Sequence, residues 1–165
     1  MIRGDGNPPS NVALYNNTIR ATSNSASGIK TDTGNGSSVG SGLVFKNNIF
    51  TNLSSVILSG PNNFNQISTS DHDDFYQDSS IAVANVSAGP GVFYNTLASW
   101  QALGFDANIS AGDPKLDASY KLQTGSAAIG LGTNLTSLGI IPLDSDKAGV
   151  LRPSTGTWDA GAYKF

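Results

Sequence analysis

Two segments of the chain repeat one pattern of apolar and polar positions. Leu14-Tyr15-Asn16-Asn17-Thr18-Ile19 and Phe45-Lys46-Asn47-Asn48-Ile49-Phe50 both read apolar, variable, Asn, Asn, variable, apolar, and they lie 31 positions apart. Apolar residues two apart in an extended chain point to the same side, so each segment predicts a short strand with one inward face. The Asn pair predicts a bend, because asparagine tolerates unusual backbone angles and bonds to its own main chain. Ile19 and Phe50 then begin a second strand that faces inward again.

A strand, an Asn corner and a second strand, repeated along the chain, predict coils that stack in parallel on one another. Asn17 and Asn48 should then lie at matching bends. The first predicted coil covers residues 12–32 and includes a strand at Gly28-Ile29. The second covers residues 43–58 and ends in the strand Val56-Ile57-Leu58, while the glycine-rich residues 33–41 predict a protruding loop. The alternative interpretation is an ordinary antiparallel sheet with Asn-rich turns.

The third predicted coil is degenerate. It contains strands at Phe75-Tyr76 and at Ile81-Ala82-Val83. Asp73-Asp74 comes 26 residues after Asn47-Asn48, where an Asn corner is expected. Because aspartate can bond to the main chain of a turn as asparagine does, Asp74 is expected to replace a corner asparagine.

A short helix is predicted after the coils, from Thr96 to Gly104. Thr96 can cap its N-terminus, and Gly104 suits the position after its last turn. Leu97, Trp100 and Leu103 recur at helical spacing, so we expect an apolar face that places Trp100 in the core. Such a helix would cover the apolar end of the last coil, which a stack of strands leaves open.

Composition limits the classes of partner. The 165 residues predict a single domain, with coils in residues 1–94 and a capping helix and C-terminal cap in residues 95–165. Only 13% of residues are charged, the net charge is −3, and there is no cysteine. No basic run suggests nucleic-acid binding, and no apolar run has the length of a membrane span. This composition is typical of a bacterial extracellular or cell-surface protein, whose signal peptide would lie outside this chain.

The densest acidic segment is Asp71-His72-Asp73-Asp74-Phe75-Tyr76-Gln77-Asp78, which also holds the single histidine. Clustered carboxylates on a turn are typical of a Ca²⁺ site, the one cofactor that the sequence suggests. Such a site would use Asp71, Asp73, Asp74 and Asp78. General acid–base chemistry by His72 with an orienting carboxylate is a second interpretation. A solvated corner without a ligand is the third.

Aromatic residues near this corner could form a platform for a sugar ring. The candidate ligand-binding residues are therefore His72, Asp73, Asp74, Tyr76 and Tyr94. Arg152 and Asp159 lie seven residues apart around a turn, and we expect them to form a structural ion pair that fastens the terminal strand, since the arginine fork fits a carboxylate.

Residues 95–165 resemble the C-terminal end of secreted bacterial right-handed parallel β-helix repeat proteins, a group that includes polysaccharide lyases. The matching positions are Trp100-Gln101, Gly104, Asp106, Asp113-Pro114, Leu122, Gly125-Ser126, Ile129, Gly132, Arg152-Pro153, Asp159 and Gly161-Ala162-Tyr163. The resemblance implies an all-β fold: the C-terminal coils of a right-handed parallel β-helix, one short capping helix and an irregular C-terminal tail. The upstream coils, where lyase active sites lie, have no counterpart here.

These observations lead to one expected function and two alternatives. We expect a β-helix module of an extracellular carbohydrate-associated protein, structural or glycan-binding, without a complete active site. A polysaccharide lyase or glycosidase acting at the Asp71–Asp78 corner is one alternative. The other is an assembly or adhesion module that self-associates through its open N-terminal coil, since unpaired strand edges are templates for pairing.

Overall fold

The computed structural model of the chain describes residues 10–22, 26–30, 41–59, 64, 66–77, 86–88, 93–94 and 96–165. The regular structure in these residues is mostly extended. Its strands are, in chain order, β1 (Ala13–Tyr15), β2 (Thr18–Arg20), β3 (Ser27–Lys30), β4 (Leu43–Lys46), β5 (Ile49–Thr51), β6 (Ser55–Ser59), β7 (Ile67–Asp71), β8 (Asp74–Tyr76), β9 (Val86–Ala88) and β10 (Phe93–Tyr94). One α-helix, α1, spans Leu97–Gln101, and two 3₁₀ turns span Thr136–Leu138 and Ile141–Asp144.

The first nine strands form three triplets, and each strand pairs with the corresponding strand of the next triplet. β1, β4 and β7 form one sheet, β2, β5 and β8 a second, and β3, β6 and β9 a third, to which β10 is added. Every pair between triplets is parallel. Among the described strands only β10 pairs in the antiparallel direction, with β9. The prediction of parallel strands is confirmed, and the antiparallel alternative is wrong.

The register between the first two triplets confirms the repeat found in the sequence. Ile19 is the partner of Phe50 across β2 and β5. At the corner before these strands, the side-chain amide of Asn17 donates to Oδ1 of Asn48 at 3.0 Å, across 31 residues. The backbone amide of Asn17 donates to the same oxygen, also at 3.0 Å. The matching asparagines therefore lie one above the other and bond directly.

The third triplet turns its corner one residue earlier than predicted. Asn48 donates from its backbone amide and its side-chain amide to Oδ1 of Asp73, at 2.7 and 2.9 Å. His72 has a left-handed φ of 60°, the same value as Asn47. The corner pair is therefore His72-Asp73. The expectation that Asp74 replaces a corner asparagine is wrong, because Asp74 is already the first residue of β8.

Helix α1 begins where the sequence predicts and ends earlier. Thr96 Oγ1 accepts from the backbone amide of Ser99 at 3.1 Å, and Ser99 Oγ accepts from the backbone amide of Thr96 at 3.2 Å. These two amides have no partner within the helix, and the reciprocal bonds satisfy both of them. Trp100 is buried, which confirms its predicted place in the core. Leu103 lies beyond the helix and is exposed, and Gly104 follows it with a φ of 88° that suits glycine.

Two apolar clusters of described residues hold these layers together. The larger cluster joins residues from all three sheets to the capping helix, and its fully buried aromatic members are Phe45, Phe50, Phe64, Phe75 and Trp100. The smaller cluster packs Ile49 of β5 against Leu122, Ala128 and Ala160 from the C-terminal residues. The C-terminal tail therefore covers part of the outer face of the β2-β5-β8 sheet.

The tail crosses this sheet at Gly161, where little space is left. The backbone amide of Gly161 donates to the carbonyl of Asn47 at 2.7 Å. The next amide, that of Ala162, donates to Oγ1 of Thr18 at 3.0 Å. A Cβ atom at position 161 would lie 2.5 Å from Cδ1 of Ile49, and the φ of 91° also favours glycine.

Arg152 fastens the terminal residues, but not through the predicted carboxylate. Its guanidinium donates to the carbonyl oxygens of Asp159 at 3.1 Å and Gly161 at 2.9 Å. It also lies over the ring of Trp158, 5.4 Å from the centroid. The carboxylate of Asp159 instead accepts two backbone amides of the tail. The predicted Arg152–Asp159 ion pair is wrong, because the guanidinium bonds to main-chain oxygens.

Several predicted features lie outside the described residues. They are most of the loop at residues 33–41, the strand Ile81-Ala82-Val83 and Asp78 of the calcium hypothesis. Within the described part of the chain, no helix is long and apolar enough to cross a membrane.

Replacing Asn48 by alanine should lower the free energy of unfolding by about 2–4 kcal/mol, because it leaves buried amide and carbonyl groups of neighbouring layers without partners. Asn16→Gly is the control, because Asn16 has a left-handed φ of 55° that glycine adopts without the strain that alanine would add. Asn16 is half-buried and accepts one side-chain bond, from Asn47 at 3.0 Å, so we expect a loss of about 1 kcal/mol. Urea unfolding followed by circular dichroism measures both. Equal losses in the two variants would contradict the central role of the Asn48 amide.

Candidate functional site

The β2-β5-β8 sheet carries a row of side chains on its outer face. Arg20, Thr51 and Tyr76 are register partners in adjacent strands. The residues just before them in β5 and β8, Phe50 and Phe75, belong to the core cluster. Successive strand residues point to opposite faces, so the row points away from the core. Residues 113–116 of the tail line the other wall of an open groove of about 210 Å³, here called the first groove.

The first groove combines an aromatic ring, two cations and one carboxylate. Tyr76 is half-buried, whereas Arg20, Lys115 and Asp113 are exposed. Asp113 Oδ1 accepts from the backbone amide of Lys115 at 2.8 Å, which fixes the turn in this wall. No ion pair between described residues involves Arg20 or Lys115. Their charges are therefore available to a ligand in the groove.

A second cleft of about 350 Å³ lies along β2 and also has Arg20 in its wall. The other aromatic and charged side chains of this cleft come from the tail and are those of Tyr120, Lys147 and Tyr163. Tyr120 is 44% exposed, so its ring presents a large face to solvent. The two clefts thus share one cation, and each contains at least one tyrosine.

The acidic corner predicted from the sequence is divided by the structure. Asp71 and His72 form its half-buried part, with Nδ1 of His72 3.0 Å from Oδ2 of Asp71. Burial acts to raise the pKa of Asp71, but hydrogen bonds from the backbone amide and the side chain of Asn108, together with nearby His72, outweigh it and lower the pKa. The Asp71 carboxylate is therefore held charged and is already bound to Asn108.

Asp73 and Asp106 form a buried pair of carboxyl groups, at 0% and 1% exposure. The hydroxyl of Ser70 contacts Oδ2 of both, and Trp100 Nε1 donates to Oδ2 of Asp106 at 2.7 Å. Burial, and then the repulsion of Asp106, raise the pKa of Asp73 well above its usual value. Burial also raises the pKa of Asp106 against the hydrogen bonds from Ser70 and Trp100. The pair therefore keeps a proton at pH values at which the carboxyl groups of free aspartates are ionised.

Asp74 is a third buried carboxyl, on the other side of the corner. It is the register partner of Ile49 and forms a bridge with Ser110 of the tail. Burial raises the pKa of Asp74 to about 7; the Ser110 hydroxyl opposes this shift and the charge of Asp113 adds to it. Because Asp74 is 0% exposed, it does not present its carboxyl to either cleft.

The structure therefore does not unite the predicted ligand-binding residues. Of His72, Asp73, Asp74, Tyr76 and Tyr94, only Tyr76 lines the first groove. Tyr94 packs edge-on against Phe64 at 5.8 Å, beside the core. Within the described residues, no three acidic or histidine side chains converge as a metal site would require. The calcium site stays a prediction, since one of its four aspartates lies outside the described part.

Sequence reasoning assigns no role to Arg20 and does not single out Lys115, Tyr120 or Lys147. The row of Arg20, Thr51 and Tyr76 could have been predicted from one feature of the sequence, the spacing of these residues from the corners. Arg20 follows the corner residue Asn17 by three positions, and Thr51 and Tyr76 follow their own corner residues by the same distance. No comparable signal places the tail residues, because they belong to no repeat.

Stability should fall as pH rises above about 4, because Asp73, Asp74 and Asp106 have raised pKa values in the folded state. Between the unfolded and the folded pKa values, the folded protein binds more protons than the unfolded chain. The contribution of these three groups to the free energy of unfolding is therefore fully present below pH 3.8, their pKa in the unfolded chain, and it is lost as pH rises and the folded groups ionise. For Asp74 this loss extends to about pH 7.

Asp73→Asn should flatten this dependence and raise stability near neutral pH, because asparagine repeats the residue of the other corners and cannot ionise. Urea unfolding between acid and mildly basic pH is the measurement, with Asp71→Asn as the control. Asp71 has a lowered pKa, so its replacement should leave the fall in stability in place. A wild-type protein that gains stability as pH rises through this range would contradict the assignment.

Comparisons with known proteins add nothing to these geometric observations. A scan against protein-family models gave no match, and searches of curated proteins and of solved structures found no similar chain.

Proposed function

We propose that this chain is the C-terminal part of a right-handed parallel β-helix in an extracellular carbohydrate-associated protein, and that it binds a glycan in the first groove. The parallel triplets and the aligned corners of Asn17, Asn48 and Asp73 support the architecture. The capping helix after the last triplet fits the same architecture, because a stack of strands needs a cover at its end.

The observation that carries the proposed function is the row of Arg20, Thr51 and Tyr76 facing the tail across the first groove. A sugar ring has an apolar face that packs on an aromatic ring, and its hydroxyls need hydrogen-bonding groups at the edge. Tyr76 supplies the ring. Arg20 supplies donors in a fixed fork, and Asp113 supplies acceptors.

The groove fits binding better than catalysis. Hydrolysis of a glycosidic bond uses two carboxyl groups on opposite sides of the bond. Of the described residues that line the first groove, Asp113 alone is acidic. Asp74, whose raised pKa would suit a general acid, is fully buried. We therefore propose a binding module rather than a glycosidase.

A second proposal concerns self-association. The outer edges of β1, β2 and β3 pair with no described residue, whereas the opposite end of the stack is tied to the cap by the bridge between Asp74 and Ser110. Ile19 is half-buried, while its partner Phe50 in the next layer is fully buried. An exposed strand edge beside partly exposed apolar residues favours pairing with a second molecule.

Tyr76→Ala should weaken glycan binding by about 1.5 kcal/mol, or about tenfold in Kd, because it removes the stacking surface. A glycan array identifies a binding oligosaccharide, and titration calorimetry then measures its affinity for each variant. Tyr15→Ala is the matched control, since Tyr15 is a half-buried tyrosine on β1 in a different sheet. The proposal fails if no glycan binds, or if both variants lose affinity equally.

If the open edge pairs, the sedimentation coefficient of the protein should rise with concentration. Ala13→Lys places a charge beside the edge strand β1 and should reduce the association. Ala98→Lys adds the same charge on the exposed side of α1, at the capped end, and should have no effect. A protein that remains monomeric at all concentrations would refute this second proposal.

A further inference from the structure

One segment of the tail is both uncharged and exposed to solvent. From Leu122 to Leu143 the chain contains no Asp, Glu, Lys or Arg. Within this segment, all seven residues from 136 to 142 are exposed, and they include Leu138, Ile140 and Ile141. Ile141, at the start of the second 3₁₀ turn, is 80% exposed. A run of exposed apolar residues without charges is typical of an interaction surface.

The hairpin that follows adds two more exposed apolar residues. It is closed by a bridge between Ser145 and Leu151. Leu151 is 74% exposed, and its neighbour Val150 is 49% exposed. Arg152 is buried, and successive residues of an extended chain point to opposite sides, so Leu151 points away from the protein.

Main-chain geometry holds the two exposed groups side by side. Ile141 is three residues from Asp144 in a 3₁₀ turn, which rises ~2 Å per residue. The carbonyl of Asp144 accepts from the amide of Arg152 at 2.8 Å. Cross-strand neighbours of this kind have Cα atoms about 5.5 Å apart, and Leu151 is the adjacent residue. The Cα atoms of Ile141 and Leu151 are therefore no more than about 15 Å apart.

These residues form one apolar patch. Five of the eight large apolar side chains that are exposed in the described part of the chain lie within this stretch of 14 residues. The two 3₁₀ turns that carry three of them contact each other. The apolar patch, as the term is used below, consists of Leu138, Ile140, Ile141, Val150 and Leu151.

The charges around the apolar patch suit contact with a second copy of the same surface. In a twofold dimer a patch meets itself, so any net charge on it would face the same charge. The apolar patch has no charge, although the chain has a net charge of −3. In the adjoining hairpin, Asp146 is buried and accepts from three backbone amides. The other two charged residues beside the patch, Asp144 and Lys147, have opposite signs.

The area of the apolar patch also suits a dimer. The exposed fractions of its five residues amount to roughly 500 Å² in each copy, near the upper end of the range for the largest patch on a monomer. Two copies face to face would remove about 1,000 Å² from water, which is the lower limit for a specific interface. We therefore expect a reversible dimer rather than a permanent one.

We propose that the apolar patch joins two copies of this chain in a twofold dimer. The inference does not depend on the proposed glycan site. It also uses a different surface from the open edge of β1, β2 and β3. Because a twofold contact uses the same surface of both copies, the assembly formed through the apolar patch stops at two molecules.

Sedimentation equilibrium of the Ala13→Lys variant isolates the apolar patch, because this substitution places a charge at the open edge. We expect a reversible equilibrium between monomer and dimer. Adding Ile141→Lys and Leu151→Lys should raise the dissociation constant of the dimer at least about tenfold, since the contact would bury unpaired ammonium groups. Leu103→Lys is the matched control. It adds the same charge at an exposed leucine after α1 and should leave the constant unchanged.

The chain contains no cysteine, so a single introduced thiol gives a second test. Ile141→Cys and Leu151→Cys each place one thiol in the apolar patch, and a twofold contact brings the two copies of that thiol towards each other. A flexible bismaleimide should therefore link these variants into dimers, whereas Leu103→Cys should remain unlinked. Should the lysine variant not fold, as judged by circular dichroism, this cross-linking decides the question.

The outcomes separate this inference from the open edge and from other occupants of the apolar patch. If Ala13→Lys is monomeric at all concentrations, the inference is overturned and any association of the unmodified chain belongs to the open edge. Sedimentation of that monomer with phosphatidylcholine vesicles, lost in Ile141→Lys, would assign the patch to a lipid surface instead. A dimer that survives both lysine substitutions, or that Leu103→Lys weakens equally, also overturns the inference.

Discussion

The buried side-chain amide of Asn48 is the interaction on which the stacked strands depend. It donates to the carbonyl of Leu14 in the layer before it and to Asp73 in the layer after it, at 3.0 and 2.9 Å. Its oxygen accepts two hydrogen bonds from Asn17. A buried polar group without its partner costs about 1–3 kcal/mol, so a slip of one layer against the next would remove several such bonds together and turn core residues outward. The corner therefore fixes the register of the two sheets that meet at it.

Asp73 ends this series of bonds and connects it to the C-terminal cap. One of its oxygens accepts from Asn48, as an asparagine oxygen would, and the other faces Ser70 and the carboxyl of Asp106. Trp100 bonds to Asp106 and stacks on Phe105 at 4.7 Å, so polar and aromatic contacts hold the cap at the same place. Two carboxyl groups in a dry environment are stable only while they share a proton, so the stability of this junction depends on pH.

The repeated part of the chain could be predicted from the sequence because alternation and the Asn pair are local signals. The parallel pairing and the 31-residue register follow from them, whereas the buried Trp100 follows from the helical spacing of apolar residues in α1. The sequence predicts the third corner one residue too late, because aspartate suits a turn at either position and only the pairing with Asn48 decides between them. The architecture beyond parallel sheets, including its handedness, stays an expectation from resemblance.

The candidate site could be predicted only in part. The sequence identifies Tyr76 as a candidate aromatic platform, and Tyr76 does line the first groove, but the acidic residues grouped with it are buried or already bonded. The other wall of each cleft comes from the tail, whose path depends on packing and main-chain bonds at Ile49, Arg152 and Gly161. Such long-range contacts leave no periodic signal in a single sequence, so the walls that the tail gives to the two clefts became visible only in three dimensions.

The crossing at Gly161 has a consequence for how this surface can change over time. The tail lies so close to β5 that a single methyl group at this position would meet Ile49 and Thr18 at 2.5 and 2.8 Å. A residue with a side chain would lift the tail and shift Tyr163, two positions later, away from the strand that carries Arg20. A substitution at Gly161, which does not line the second cleft, can therefore change the shape of that cleft.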